Sequence, residues 1–326
     1  MIAKKILYWY DNNKRSLPWR NKCSAKQKEY FTLVSEFMLQ QTQVKTVIPY
    51  FNNFLKKIPN LQFLAQVNEA KLLTYWQGLG YYSRAKNLKK SAKMIIDNYN
   101  GRLPNNFEEL KKLPGVGDYT ASAISAIAFN EPIIPLDGNI ERVLKRVLNL
   151  KTEVEIKKEN LHKRKKVFGQ TSRSSDYAQA LMEIGALLCK PKTPYCEKCP
   201  ITKNCLSFKR KDFEIKKKNK KITNKFYHAT LYKNNDKILL VKNDKFKFLK
   251  NLLIFPMEEI TQSDSLLRSS NKLNVKMSNM NMNISINFSN IKNKPKNGLW
   301  IKKTKLENYM IPAFTKKIFA SVKYDL

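Results

Sequence analysis

The sequence predicts a mainly α N-terminal domain followed by a smaller α+β domain, and three observations carry this prediction. First, apolar residues recur at helical spacing from Tyr30 to about Leu188. Second, residues 209–225 are rich in lysine and contain no glycine or proline, which predicts an exposed linker. Third, the spacing changes to strand-like alternation after this linker. A chain of 326 residues is long enough for two domains that each bury a core.

Within the first domain, Phe31, Val34 and Met38 share one face of a predicted helix, and the same spacing recurs in later segments. Asn139 is predicted to cap the N-terminus of the helix that carries Ile140 and Val143. Turn signals separate the helical segments at residues 78–80, 100–101, 114–117 and 137–138.

The predicted second domain covers residues 226–326. Residues 226–232 and 237–241 have the composition of strands, and residues 234–236 predict the hairpin turn between them. Residues 283–288 alternate in the same way and predict a further strand.

The charge is strongly basic, with 62 Lys and Arg against 26 Asp and Glu, a formal net charge of +36. Such a surface attracts polyanions, nucleic acid first among them. An alternative is that AT-rich coding favours lysine and asparagine throughout the chain. The sequence contains no run of about eighteen apolar residues, so no membrane helix is predicted. The apolar stretch at the N-terminus does not have the pattern of a signal peptide. We therefore expect a soluble, cytoplasmic protein.

Four cysteines lie close together, at positions 189, 196, 199 and 205, whereas Cys23 stands apart and is expected to be an ordinary thiol. Their intervening segments are six, two and five residues long. Zinc on four cysteines usually uses two separated C-x-x-C pairs, whereas three unequal short spacings favour an iron–sulfur cluster. Zinc remains the alternative.

Residues 113–121 join two helical patterns through a Pro-Gly-Val-Gly turn. Gly115 and Gly117 allow backbone N–H groups to point outward at the start of a helix, which makes an anion-binding site. The same residues also fit a simple tight turn between helices.

Two carboxylates are candidates for acid–base chemistry. Glu36 lies in the most apolar predicted helix, where burial would raise its pKa and suit it to act as an acid. Asp137 precedes a predicted helix start, where backbone donors favour the ionised form. Glu36 as a surface carboxylate and Asp137 as a turn residue are the alternatives, because sequence spacing cannot show that the two meet.

Several segments together resemble a known family. They are LPWR, SEFMLQQTQV, GLGYYSRAKNL, LPGVGDYTA, LDGNIERVL, YAQALMEIGALLC and the cysteine loop, and they cover residues 17–205. In this order they are similar to the MutY-type adenine DNA glycosylases of the endonuclease III, or helix-hairpin-helix, superfamily. The resemblance implies a helical glycosylase domain over residues 1–208. Its six-helix part would span about 25–130, and its cluster part the N-terminus plus about 131–208.

The resemblance also implies a 4Fe–4S cluster on the four cysteines, and roles for individual residues. Glu36 would protonate adenine N7, Asp137 would stabilise the sugar cation, and Tyr119 and Asn139 would support the sugar and the water. The adenine pocket would include Trp19, Arg20 and Glu183, Gln41 and Tyr81 would enter the duplex beside the lesion, and Gly115 and Gly117 would bind a DNA phosphate.

Position 119 separates the branches of the superfamily. Glycosylases that also cut the strand have a lysine here, whose amine forms a Schiff base with the sugar. Tyr119 cannot form that imine, which favours base removal by water alone.

The second domain resembles the Nudix-like domain with which this family recognises 8-oxoguanine. Residues 256–275 lack the glutamate cluster of a Nudix hydrolase, so a hydrolase role is not expected. Phe288 and Ser289 match the family's Phe-Ser-His segment, but Asn290 stands in place of the histidine. This departure puts the strength of 8-oxoguanine discrimination in question, and residues 288–290 also fit the end of a polar strand.

The leading hypothesis is a monomeric, monofunctional glycosylase in the bacterial cytoplasm, associated with the nucleoid. It would remove adenine paired with 8-oxoguanine or guanine in double-stranded DNA during base excision repair. The alternatives are an endonuclease III-like pyrimidine glycosylase with lyase activity and a catalytically silent DNA-binding protein.

Overall fold

The computed structural model describes residues 2–215, 222–267, 271–277, 279–290, 298–309 and 311–321. The chain divides into two compact units. One comprises Met1–Val67 and Ser83–Lys217, and the other comprises Asn68–Tyr82 and Lys218–Leu326. The boundary between the units, after Lys217, falls within the predicted linker. The segment Asn68–Tyr82 belongs to the same unit as the C-terminal part of the chain. The predicted domain limits stay a prediction.

The first unit is helical, as the sequence predicts. Its helices are α1 (Ile2–Asn13), α2 (Ala25–Leu39), α3 (Val44–Lys57), α4 (Leu61–Gln66), α6 (Ser83–Asn98), α7 (Phe107–Lys112), α8 (Asp118–Phe129), α9 (Gly138–Val147), α10 (Lys158–Arg164), α11 (Ser174–Glu183) and α12 (Leu206–Lys209).

Helix α2 is the central helix of this unit. Ser24 caps its N-terminus, and the side chains of Ser24 and Gln27 form a reciprocal capping box. Leu33, Val34 and Phe37 are fully buried, and the polar residues between them are buried as well. A helix buried around its circumference indicates a core position, so a carboxylate on it is withdrawn from water.

Helices α1, α9 and α11 form a second core. Ile6 of α1, Leu144 of α9 and Leu181 of α11 belong to one cluster of fully buried side chains, and Ile201 of the cysteine loop joins it. A single π-helical turn, Ile184–Leu188, extends α11 up to Cys189. The cysteine loop is therefore anchored to the same core that positions the start of α9.

The second unit contains α5 (Glu69–Tyr75) and a mixed seven-stranded sheet. Its strands are β1 (Thr223–Asn234), β2 (Lys237–Lys242), β3 (Leu253–Ile254), β4 (Met257–Ile260), β5 (Asn271–Met277), β6 (Met280–Asn290) and β7 (Gly298–Lys302). The main order is β3-β2-β1-β6-β5, with β4 paired to β1 and β7 paired to β2. Helices α13 (Gln262–Leu267) and α14 (Ala313–Ser321) complete the unit.

The long central strands β1 and β6 run parallel, with Phe226 opposite Asn283 and Leu231 opposite Phe288. Alternate side chains such as Ala229 and Ile284 point into a buried core. The α+β class and the predicted strands over residues 226–232, 237–241 and 283–288 are confirmed.

Two local predictions need correction. Asp137, and not Asn139, caps α9, because the Asp137 side chain accepts a hydrogen bond from the Ile140 amide. The predicted linker extends to residue 225, whereas β1 begins at Thr223 and pairs with β6 from that residue. Residues 216–221 of that linker lie outside the described residues.

Candidate active site and cysteine cluster

Glu36 is the most perturbed carboxyl group of α2. It is 4% exposed, and its Oε2 atom has no hydrogen-bond partner in the described part of the protein. Burial raises the pKa of Glu36 to about 7, a hydrogen bond from Tyr119 lowers it, and Asp137 raises it again. A buried carboxyl oxygen without a partner is costly, which marks Glu36 as a group prepared for a ligand.

Tyr119 lies in the first turn of α8 and joins Glu36 to the hairpin before that helix. Burial first, and then the negative charges of Glu36 and Asp137, hold the pKa of Tyr119 well above its usual range. The phenol therefore stays protonated and donates to Glu36.

Asp137 is the second carboxylate of this cluster. Its Oδ1 accepts from the Ile140 amide at 2.6 Å, and its Oδ2 accepts from Asn139 Nδ2 at 2.9 Å. Burial raises the pKa of Asp137, while these hydrogen bonds and Arg142 lower it. The expectation of an ionised carboxylate accounted for the donors and the helix dipole but not for the burial.

Asn139 is held from its other side by Arg142. Arg142 Nη2 donates to Asn139 Oδ1 at 2.8 Å and to the Gly185 carbonyl at 2.7 Å, and Arg142 Nε donates to the Cys189 carbonyl at 2.7 Å. One guanidinium group therefore connects the Asp137 cap, the π-helical turn and the cysteine loop.

Gly185 allows this approach between α9 and the π-helical turn. A Cβ atom placed on Gly185 would lie 2.6 Å from Asn139 Cβ and 3.0 Å from the Asn139 carbonyl carbon and oxygen. Two of those contacts are with backbone, which cannot move aside cheaply. The start of α9 thus reaches its position only beside a residue without a side chain.

Of the three residues predicted for the adenine pocket, Trp19 and Arg20 line a surface cleft, whereas Glu183 is buried. Trp19 and Arg20 line a cleft of about 470 Å³ together with Gln179 and Cys23. Arg20 Nε donates to Gln179 Oε1 at 2.6 Å, and the positive charge of Arg20 lowers the pKa of Glu36. Arg20 is therefore close to the carboxylate cluster as well as to the cleft.

Glu183 is buried beneath the arginines that line this cleft. It is 0% exposed and accepts two hydrogen bonds of 2.8 Å from Arg15. It also forms an ion pair with Arg20, with an N–O distance of 3.0 Å. Glu183 orients the two arginines that line the cleft, and its place in the adenine pocket stays a prediction.

The hairpin at residues 113–117 joins α7 to α8. Gly115 adopts a φ of +82°, and a Cβ atom there would lie 2.8 Å from Asn87 Cβ. Gly117 caps α8, and a Cβ atom on it would meet nothing within 4 Å. Gly115 is thus required by backbone conformation and packing, whereas Gly117 leaves the N-terminus of α8 open to an anion.

Gln41 and Tyr81 share an unusual backbone conformation. Gln41 has a φ of +56° and is exposed; Tyr81 has a φ of +46° and is 49% exposed. They belong to different units. Residues with side chains rarely adopt this left-handed region, and such outliers concentrate at functional sites.

Phe288 and Ser289 lie near the end of β6. The Phe288 ring is 46% exposed, which is unusual for an aromatic side chain in a sheet with a buried core. The backbone of Asn290 pairs with Lys233, and its side chain lies outside the described residues.

The four cysteines line one cavity with apolar walls that include Val143. Arg146 Nη1 approaches Cys189 Sγ at 3.4 Å, and burial raises the pKa of Cys199 to about 11. In the described part of the chain, no group of three or more His, Cys, Asp or Glu side chains is arranged to hold a metal ion. Four thiols around one cavity fit a thiolate-bound metal centre.

Sequence reasoning did not predict three arginines that contact the candidate site: Arg15, Arg142 and Arg146. Arg142 lies three residues after Asn139 and therefore on the same helix face, a signal that was available in the sequence. The pairing of Arg15 with Glu183 joins residues 168 positions apart, and local spacing carries no such information.

Comparison with known proteins identifies the family. Residues 34–168 match the HhH-GPD superfamily of base excision DNA repair proteins. The chain is 33% identical to the adenine DNA glycosylase of Buchnera aphidicola subsp. Schizaphis graminum over 99% of both chains. It is 38% identical to that of Buchnera aphidicola subsp. Baizongia pistaciae, covering 86% of this chain and 80% of the relative.

Among solved structures, a thermostable thymine-DNA glycosylase superposes with a TM-score of 0.57 at 27% identity, covering 64% of this chain and 95% of the other. The fold and the site thus define a helix-hairpin-helix DNA glycosylase. Within that class the chain belongs to the family of MutY-type adenine DNA glycosylases. In the described residues, no helix is long and apolar enough to cross a membrane.

Proposed function

We propose that this glycosylase removes adenine paired with 8-oxoguanine or guanine in double-stranded DNA, by protonation at N7 and hydrolysis. The observation that carries the proposal is the buried Glu36 carboxyl, whose pKa is about 7 and whose Oε2 has no partner in the described residues. An acid with a pKa near the working pH transfers its proton most effectively.

In the reaction, Glu36 gives its proton to adenine N7 as the glycosidic bond breaks, and the bonding electron pair leaves with the base. The sugar becomes cation-like at C1′, and the Asp137 carboxylate stabilises that charge. Water then forms the new C1′–O bond and gives one proton to the Glu36 carboxylate, which restores the acid. Asn139 holds Asp137 in place through the 2.9 Å hydrogen bond.

Strand cleavage is not part of the proposed activity. The first turn of α8 presents Tyr119 to Glu36, and a phenol held protonated by burial has no amine with which to attack C1′. The product is therefore an intact strand with an abasic site.

For the base opposite adenine, the proposal assigns recognition to Phe288 and Ser289 of the C-terminal unit. An exposed aromatic ring can stack on a base or enter the helix beside it, and the Ser289 hydroxyl can hydrogen-bond to the base. Replacement of Phe288 by Ala is expected to reduce the preference for 8-oxoguanine over guanine, measured as the ratio of excision rates.

We further propose that Cys189, Cys196, Cys199 and Cys205 hold a 4Fe–4S cluster. When bound, the cluster would tie together the loop that follows the π-helical turn, a structural role. Cys199→Ser is expected to lower the content of iron and acid-labile sulfide in the purified protein, and Cys23→Ser is the matched control that leaves both unchanged. Zinc in place of iron in the wild-type protein would overturn the assignment.

The activity is tested with a duplex that carries one adenine opposite 8-oxoguanine. Free adenine should appear, and strand breaks should appear only after hot alkali. Duplexes with adenine opposite guanine and opposite cytosine measure the preference for the opposite base. A borohydride-trapped protein–DNA adduct, or release of an oxidised pyrimidine instead of adenine, would contradict the proposal.

A further inference from the structure

The C-terminal end of α2 is bound by an arginine from another helix. Arg84 of α6 is 6% exposed, and its Nη1 atom donates to the carbonyls of Phe37, Met38 and Gln40 at 3.0, 2.7 and 2.6 Å. The last carbonyls of a helix have no partner within the helix and carry partial negative charge. A single nitrogen of Arg84 therefore binds three carbonyls at one helix end.

The position of Arg84 is unfavourable for its own helix. It lies in the first turn of α6, the end at which a helix favours negative side chains. Burial of its charge adds a desolvation cost. The contacts at the end of α2 act against both costs.

The residue that follows these carbonyls is Gln41, with its left-handed φ of +56°. The turn around it is closed by a hydrogen bond from the Thr42 amide to the Leu39 carbonyl at 3.1 Å. The Gln40 carbonyl accepts both from Arg84 and, at 3.4 Å, from the Thr42 hydroxyl. A strained backbone persists only where its neighbours hold it, and Arg84 supplies the buried, charged part of that support.

Helix α6 also holds the phosphate-binding hairpin. Ser91 Oγ donates to the Pro114 carbonyl at 2.8 Å, and Asn87 packs where a side chain on Gly115 would lie. Gln40 Nε2 completes the link, since it lies 3.3 Å from both the Gly115 carbonyl and the Thr120 hydroxyl. One face of α6 therefore sets the distance between the end of α2 and the hairpin.

We propose that Arg84 is a positioning residue for base extrusion: it holds Gln41 in the conformation that enters the duplex, at a fixed distance from the hairpin that binds the phosphate. This inference rests on the proposed function. A nucleotide leaves the helix only if its phosphate is held and the space it vacates is filled. Arg84 serves the second task through Gln41, and the helix that carries Arg84 serves the first through Ser91 and Asn87. In this proposal Arg84 contacts neither the DNA nor the reacting atoms.

The test compares two duplexes of the same sequence. In one, adenine is paired with 8-oxoguanine; in the other, adenine faces an abasic-site analogue and is already poorly held in the helix. Arg84→Met is expected to lower the single-turnover rate on the paired duplex about 10- to 100-fold, the size expected when a positioning group is lost. On the unpaired adenine the loss should be several-fold smaller, because extrusion costs less there.

Three further variants define the mechanism. Arg84→Lys, which keeps a positive donor, should recover most of the rate. Gln41→Ala should give the same difference between the duplexes, and the double variant Arg84→Met with Gln41→Ala should lose no more than the larger single effect. Arg102→Met is the matched control, because Arg102 pairs with Glu29 at the other end of α2. It should change the two rates equally.

Equal losses on the two duplexes, or fully additive losses in the double variant, would overturn the positioning role. If Arg84→Met does not fold, Arg84→Gln takes its place, since it keeps a polar donor but removes the guanidinium group that binds the carbonyls of Phe37, Met38 and Gln40. Equal loss on both duplexes with Arg84→Gln would also overturn the inference. Failure of the wild-type protein to release adenine from either duplex would instead contradict the proposed function.

Discussion

The end of α2 and the start of α9 place the same functional group in opposite surroundings. Glu36 lies in the second half of α2, where the side chains of residues 32–38 are buried and the backbone amides are used by the helix itself. Asp137 lies at a helix start, where amides are unpaired, and it accepts hydrogen bonds from Ile140 and Asn139. Burial raises the pKa of both carboxyl groups, but only Asp137 has backbone and amide donors that act against it.

This difference shows how one fold gives two carboxyl groups different surroundings, in keeping with the different roles proposed for them. A helix interior offers no unused backbone donors, so burial raises the pKa of a carboxyl group there with little to oppose it. A helix N-terminus offers several donors, so a carboxylate can remain charged while largely withdrawn from water. The supply of donors at each helical position, more than the degree of burial, separates the acid from the charged partner.

The largest expected effect comes from removal of the acid. Glu36→Gln keeps the shape of the side chain but cannot give up a proton, so the rate of adenine release should fall about 10²- to 10⁴-fold. Single-turnover release from a duplex with adenine opposite 8-oxoguanine measures it. Glu131→Gln, at an exposed position, is the control. A Glu36→Gln rate within a few-fold of wild type would remove Glu36 from its assigned role.

The next effect separates charge from capping at Asp137. Asparagine caps a helix about as well as aspartate, so Asp137→Asn should leave the melting temperature nearly unchanged while the rate falls about 10²- to 10³-fold. Asp137→Ala should lose the same rate and, in addition, about 1 kcal/mol of unfolding free energy. Thermal melting and excision rates on the same preparations test this. A large loss of stability in Asp137→Asn would show that the charge serves the fold.

The smallest effect concerns the pH profile. Because the raised pKa keeps Glu36 protonated below about pH 7, the excision rate should be high there and fall as pH rises through that value. Tyr119→Phe removes the hydrogen bond that lowers the pKa of Glu36, so the fall should move to higher pH. Tyr99→Phe, which breaks only a surface bond to Glu109, should leave the profile in place. A shift to lower pH in Tyr119→Phe would contradict this account.

Local signals predicted much of the fold. Apolar spacing identified the helices of the first unit and the strands around the Asn235 turn, because both patterns arise between near neighbours in the chain. The cap of α9 was misplaced by two residues. Asp137 and Asn139 are both good capping residues, and only the hydrogen bond to the Ile140 amide decides between them.

The site was predictable as a set of residue types but not as a network. Burial of Glu36 followed from its apolar neighbours. The buried ion pairs of Glu183, in contrast, involve Arg15 and Arg20, which lie more than 160 positions earlier in the sequence. Arg84 gave no signal at all, since its partners are backbone carbonyls, which look the same in every sequence.

Gly185 has a consequence for inherited variation in this gene. Any other amino acid at this position places a Cβ atom too close to Asn139. The substitution would leave in place every residue proposed to react or to bind DNA. Such an allele would be expected to behave as a loss of catalysis although its chemistry is complete. A screen that ranks variants by charge or polarity would miss such an allele, because the volume of the side chain decides which amino acids position 185 accepts.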